Sequence, residues 1–265
     1  MKRIQEYLPE VPPTDGAHQD TRIQYDNCVL NCPVCGGIGY VRADVPLGDP
    51  RFGKIERCPN AAALDIQRMK ADPRIGITKR DFELSFENIR PVSPITQVVA
   101  DIKPLVLSRA SKTPKGAFVL IVGTPGIGKS LFLRTVVAVA VSSGITGAYA
   151  NLSYTLDDLR RAYDTPNAGE ELEGRFTWWQ NLDILALDEF DKVNSTPWAR
   201  ERIHMLMDAR YRLAVEGRGL TLVASNSEPM DDYLMSRFRD QRVGRVYRLN
   251  GQDIRTRTRE LKLKW

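Results

Sequence analysis

Residues 117–130 read Ala117-Phe-Val-Leu-Ile-Val-Gly123-Thr-Pro-Gly126-Ile-Gly128-Lys129-Ser130. The first six are apolar and stop at a glycine. That is the pattern of a strand buried on both faces of a parallel sheet. The next eight fit G-x-x-x-x-G-K-[ST] without deviation. Gly123, Gly126 and Gly128 let the backbone turn tightly and bring bare N–H groups to phosphate oxygens. A helix predicted from Lys129 aims the positive end of its dipole at the same anion. The stretch therefore predicts a phosphate loop for a nucleotide, with Gly123, Thr124, Pro125, Gly126, Ile127, Gly128, Lys129, Ser130 and Leu131 as the binding residues. Lys129 is expected to reach the β- and γ-phosphates and Ser130 to ligate magnesium. ATP and Mg2+ are the cofactors this chemistry implies.

On either side the pattern alternates between strand and helix. Further strands are predicted at Ala148–Asn151, Asp183–Leu187, Leu220–Ala224 and Gly244–Leu249, with helices at Leu131–Val141, Thr155–Tyr163 and Trp198–Val215. Such alternation predicts an α/β fold, a parallel five-stranded sheet covered on both faces. Asp188-Glu189 closes the strand Ile184–Leu187, at the sheet edge where open α/β folds bind ligands. Asp188 is placed to hold magnesium through its water shell and Glu189 to polarise an attacking water as general base. Asn226 ends the next strand and could orient that water, or serve only as a turn residue. Arg237, just before the last strand, is the candidate arginine finger for a neighbouring subunit's nucleotide, ahead of Arg239.

The ordered set GTPGIGKS, LALDEFDK, ASNSEP and SRFRD resembles the AAA+ ATPases of the bacterial DnaC/DnaI helicase-loader type, with the IstB transposition ATPases as close relatives. The similarity spans roughly Phe82 to Leu261. The run TPWARERIHMLMDARYR followed by GLTLVASN is its most specific stretch. The resemblance implies an AAA+ P-loop NTPase core with little or no lid domain. Lys129 and Ser130 match Walker A, Asp188 and Glu189 Walker B, Asn226 sensor 1, and Arg237 the finger; Arg255 is the candidate for sensor 2. It further implies ATP hydrolysis at the subunit interfaces of a homo-oligomer that loads the replicative DNA helicase onto single-stranded DNA. Tyr154, Arg160 and Arg161 fall where such proteins place DNA contacts. Many loaders carry two aspartates where this chain has Asp188-Glu189. Two alternatives remain at this stage: an IstB-like regulator on duplex DNA, and an ATP-gated adaptor with little turnover.

The first quarter of the chain differs. It holds all four cysteines, Cys28, Cys32, Cys35 and Cys58. Without an export signal, clustered cysteines at short spacing predict metal ligands rather than disulfides. Cys32-Pro-Val-Cys35-Gly-Gly-Ile-Gly is a knuckle pattern whose glycines free backbone N–H groups for the sulfurs. Four-coordinate zinc needs four soft ligands. The resembling loaders have C-x-C where this chain has Cys58-Pro-Asn60, so Cys28 is the natural fourth ligand and His18 the second choice. Residues 1–80 are thus expected to form a small zinc-binding domain, which by resemblance grips the helicase, and 81–265 the ATPase domain.

Composition narrows the classes. Hydrophobic residues are 42% and charged residues 27%, an ordinary globular balance that argues against wholesale disorder. No apolar run approaches a membrane span, and the start MKRIQEYLPEVPP has no signal-peptide core, so a cytoplasmic location is expected. The net charge of +5 is mild, yet Arg237–Trp265 carries ten basic and three acidic residues, a candidate surface for phosphates.

Overall fold

The structure, a computed structural model, describes residues 28–89, 95–109, 115–155, 168–192, 196–228, 231–251 and 253. The chain divides into two compact units, Met1–Ala71 and Asp72–Trp265.

The described part of the first unit is a two-stranded antiparallel hairpin, β1 (Tyr40–Arg42) and β2 (Ile55–Arg57), followed by the helix α1 (Pro59–Ala71). Pro59 opens the helix, where its missing N–H costs nothing. The buried cluster here is Cys28, Cys32, Cys35, Cys58, Val41 and Ala61. Four of six are thiols, so apolar burial alone is a weak source of stability for this unit.

The second unit is built on five parallel strands in the order β4-β5-β6-β3-β7: β3 (Ala117–Gly123), β4 (Gly147–Asn151), β5 (Ile184–Asp188), β6 (Leu220–Ser225) and β7 (Gly244–Leu249). The expected five-stranded parallel sheet is present, each strand within one residue of its predicted bounds. β3, β5 and β6 are almost wholly buried, which is why they read as continuous apolar runs. The helices are α2 (Ile95–Ser108), α3 (Lys129–Ser142), α4 (Ala168–Asn181), α5 (Pro197–Val215) and α6 (Asp232–Phe238). Thr196 caps α5 by accepting from Ala199 N, with Pro197 in the first turn.

No helix was predicted directly ahead of β3, yet α2 forms there and runs through Pro104. Its buried residues Ile95, Val98, Ile102, Leu105 and Val106 form one apolar face, and packing outweighs the single backbone bond a proline removes. The short turns Lys79–Glu83 and Phe86–Asn88 precede α2 within this unit. Most of the predicted helix Thr155–Tyr163, the lid question after β7, and Arg160, Arg161, Arg255 and His18 lie outside the described residues.

Two arginines cross-link the edge of the sheet where strands begin. Arg210 of α5 is fully buried. Its guanidinium donates to Leu182 O, to Trp179 O and Gln180 O at 3.3 Å each, to Leu220 O at 3.1 Å and to Thr221 Oγ1 at 3.0 Å. Burial pushes its pKa down to about 9. Arg109 donates to Gly217 O and Arg218 O at 2.8 Å. The end of α4 and the starts of β5 and β6 are therefore held by one side chain, which fixes how those strands line up at their far ends. Arg210→Met should leave buried carbonyls without donors and cost about 3 kcal/mol or more, each such group costing roughly 1–3. A urea titration checks it; an unchanged midpoint would mean these bonds contribute nothing net.

Candidate nucleotide site and metal centre

The predicted phosphate loop links β3 to α3. Gly126 (φ +81°) and Gly128 (φ +96°) adopt the left-handed backbone that side-chain-bearing residues avoid. Gly128 caps α3, so the helix begins at Lys129 with its free N–H groups turned toward the loop. The Lys129 side chain is buried. Its Nζ donates to Gly123 O at 2.5 Å, Thr124 O at 3.1 Å and Asn226 Oδ1 at 3.1 Å. Thr124, Pro125 and Ile127 complete the turn, and Ser130 and Leu131 lie in the first turn of α3.

Asp188 and Glu189 end β5 beside the loop's strand layer. Asp188 is buried and accepts from Tyr149 Oη at 2.8 Å and from Glu189 N at 2.9 Å. Burial and the Asp188 carboxylate together push the Tyr149 phenol up, so it stays a proton donor to that acid. Glu189 has φ +53°, uncommon for a residue with a side chain and a mark of strain held by surrounding structure. Its carboxylate is gripped twice: Lys192 Nζ donates to Oε1 at 2.5 Å and Asn151 Nδ2 to Oε2 at 2.9 Å. Lys192 first, then Asn151, hold its pKa below the usual carboxylate range.

Asn226 joins two parts of the site. Beyond accepting from Lys129, its backbone N donates to Asp191 Oδ1 at 3.0 Å and its Nδ2 to Asp191 Oδ2 at 3.1 Å. Burial pushes the Asp191 carboxyl up, but these N–H donors win and leave it lowered. The ends of β3, β5 and β6 thus share one chain of contacts, Lys129–Asn226–Asp191, with Glu189 two residues from its end.

Arg237 lies on α6 and faces its own chain. Its Nη2 is 2.7 Å from Asp208 Oδ1, its guanidinium stacks 3.6 Å over the Tyr233 ring, and its Nη1 donates to Tyr233 O at 3.1 Å. Arg239 instead pairs with Glu228 at 3.3 Å and is exposed. Tyr154 is exposed beside β4.

In the first unit the sulfurs of Cys28, Cys32, Cys35 and Cys58 all lie within 4.8 Å of one another. Cys32 Sγ and Cys58 Sγ are 3.8 Å apart. A tetrahedral ion with Zn–S bonds of about 2.3 Å needs sulfurs about 3.8 Å apart, so the cluster fits one such ion. Gly39 N donates to Cys35 Sγ at 3.2 Å and Asn60 Nδ2 to Cys32 Sγ at 3.3 Å. The Cys32 thiol is drawn down to about 6, chiefly by the Cys35 N–H, whereas burial pushes Cys28 up to about 12. Asn60, where the loader pattern has cysteine, serves the cluster as a hydrogen-bond donor, and Cys28 supplies the fourth sulfur.

A family model described as AAA domain (dynein-related subfamily) matches residues 118–255, just over half of the chain. The chain belongs to the AAA family. No curated protein gives a significant match. Among solved structures, AMPPCP-bound DnaA from Aquifex aeolicus aligns with TM-score 0.52 at 16% identity, over 69% of this chain and 55% of that one. Domain III of the Thermotoga maritima replication initiation protein DnaA aligns with TM-score 0.50 at 18% identity, over 70% and 74%. The DnaC helicase loader aligns with TM-score 0.49 at 16% identity, over 65% and 99%. The chain spans just over half the length of the AMPPCP-bound DnaA chain it matches. At these identities the likeness is one of fold.

Within this AAA fold, sequence reasoning named Lys129, Asp188, Glu189 and Asn226 but missed Tyr149, Asn151, Asp191 and Lys192. Asp191 and Lys192 stand in the same DEFDK string, so the signal was present and had no structural address. Tyr149 and Asn151 carried no signal, because only pairing of β4 with β5 brings Asn151 opposite Asp188. The cysteine cluster lies outside the family match. Metal analysis should find one zinc per chain, and Cys58→Ser should lose most of it; full zinc retention in that variant would contradict the four-sulfur site.

Proposed function

We propose that this AAA protein is an ATPase that loads a replicative DNA helicase onto single-stranded DNA. The observation that carries the ATPase half is the continuous Lys129–Asn226–Asp191 chain, with Glu189 adjoining it on the same sheet edge. A polyphosphate entering the loop meets the bare amides and α3's positive end, and competes for the Lys129 ammonium. Asn226 is then released toward the phosphate or toward Asp191, which couples occupancy of the loop to the turn after β5. Magnesium would be held by Ser130 and by Asp188, the latter through water; bound there, it supplies charge neutralisation at the phosphates.

Glu189 is the general base. While Asn151 and Lys192 grip its carboxylate, it is turned toward them, so turnover needs at least one grip to loosen. Asn151 lies immediately before Leu152 and the exposed Tyr154, the region assigned to DNA together with Arg160 and Arg161. DNA contact there has a short path to the base. Arg237 is the finger that completes a neighbouring subunit's site in a homo-oligomer, and it must first leave Asp208 and Tyr233. The cysteine-rich unit, stapled by zinc, is the helicase-binding part. The loader half rests on the ordered motifs GTPGIGKS, LALDEFDK, ASNSEP and SRFRD.

Glu189→Gln should lower ATP turnover by roughly 10²-fold or more, the usual weight of a general base, and Lys129→Ala should abolish nucleotide binding. Unchanged turnover in both would remove the ATPase assignment. Asn151→Ala should raise turnover without DNA and shrink its stimulation by DNA. Lys192→Ala removes the main cause of the lowered Glu189 pKa. The acid limb of the kcat/KM profile should therefore move to higher pH, because a base with a higher pKa is lost earlier on acidification. The loader role is tested separately, by co-purification with a replicative helicase and ATP-dependent transfer of that helicase to single-stranded DNA.

A further inference from the structure

The segment leaving β7 runs along the phosphate loop, residue against residue. β7 pairs with β3 in the register Gly123↔Leu249. A Cβ built on Gly123 would lie 2.6 Å from Leu249 O. Thr124 Oγ1 donates to Gly251 O at 3.0 Å. A Cβ built on Gly126 would lie 1.9 Å from Asp253 Oδ1, 2.0 Å from Asp253 Cγ and 2.5 Å from Oδ2. Loop residues 123, 124 and 126 thus meet residues 249, 251 and 253, every second position of the exiting segment. The absence of a side chain at Gly126 is what lets the carboxylate lie flat against the loop.

This placement puts the protein's own carboxylate in competition with phosphate for the loop. A glycine-rich loop at a helix N-terminus collects anions. Asp253 brings a carboxylate to that loop from another part of the chain. One negative charge in contact with the loop and the several charges of a nucleotide polyphosphate repel each other at short range, and the penalty grows with the number of phosphates. On the premise that this loop takes nucleotide, we infer that Asp253 is a specificity-determining residue of the site. Its carboxylate sets how tightly the loop takes polyphosphate and narrows the advantage of a triphosphate over a diphosphate. When a triphosphate enters, the Asp253 carboxylate withdraws from Gly126 or its charge is offset by the magnesium that accompanies the phosphates.

The test is calorimetric titration of ATP, ADP and inorganic pyrophosphate, each with magnesium, into wild type, Asp253→Asn and Lys129→Ala. Asn keeps the shape of the side chain, removes the charge and turns one acceptor oxygen into a donor, and the salt dependence singles out the charge. Asp253→Asn should bind ATP about tenfold more tightly at low salt, with a smaller gain for ADP. Both gains should shrink at 0.5 M salt, as screening weakens a charge effect. Equal affinities in wild type and Asp253→Asn, weaker binding in the variant, or a gain that is the same for all three ligands and insensitive to salt would each overturn the inference. If wild type binds none of the three, or Lys129→Ala binds as well as wild type, the nucleotide reading itself fails and Asp253 falls with it. A thermal midpoint for Asp253→Asn close to wild type shows that the affinity change does not arise from unfolding.

Discussion

A buried ammonium group organises the larger unit. Lys129 sits at the first position of α3, where the helix dipole already favours negative charge, and its Nζ reaches back to the carbonyls of Gly123 and Thr124 and across to Asn226. Burying a cation is costly unless its donors are satisfied. The partners that satisfy it come from the end of β3 and the end of β6, neighbouring strands in the sheet. The parallel register of β3 and β6 is therefore a condition for the loop to have its shape, and Arg210 and Arg109 tie the opposite end of β6 to the start of β5 and to the turn after α5. Site and scaffold share one set of constraints: carbonyls closed by arginines at one edge, and a lysine among carbonyls and an amide at the other.

The second constraint is the turn after β5. Asp188 is tied by Tyr149 and by the Glu189 amide, and Glu189 takes a left-handed conformation. Such strain persists only when its surroundings over-determine it. Here they do so with opposite consequences. Asn151 and Lys192 stabilise the ionised carboxylate that the proposed general base needs, and the same two contacts hold it in place. The neighbouring Asp191 is bound to Asn226, so two hydrogen-bonded side chains join Lys129 to the turn.

The smaller unit solves a different problem. With Val41 and Ala61 as its only apolar buried residues among those described, it cannot rely on a core. Four thiols within 4.8 Å of each other replace one, on the condition that their charge is offset. The N–H groups of Gly39 and Asn60 contribute to that offset on two of the sulfurs.

Residue order alone specified the parallel α/β sheet, the glycine turn between β3 and α3, the acidic pair and three of the four clustered sulfurs, with Cys28 favoured for the fourth. Those features are local: a glycine must permit a tight turn, a buried strand must be continuously apolar, and a knuckle must have its cysteines three apart. What tertiary structure decided were encounters between distant stretches. The pairing of β4 with β5 set Asn151 and Tyr149 beside the acidic pair. α2 survived Pro104 because its apolar face had something to pack on. Arg237 turned inward onto Asp208, and Asp253 came to rest on Gly126, 127 positions away in sequence. Such contacts depend on strand order and register, which periodicity along a chain does not encode.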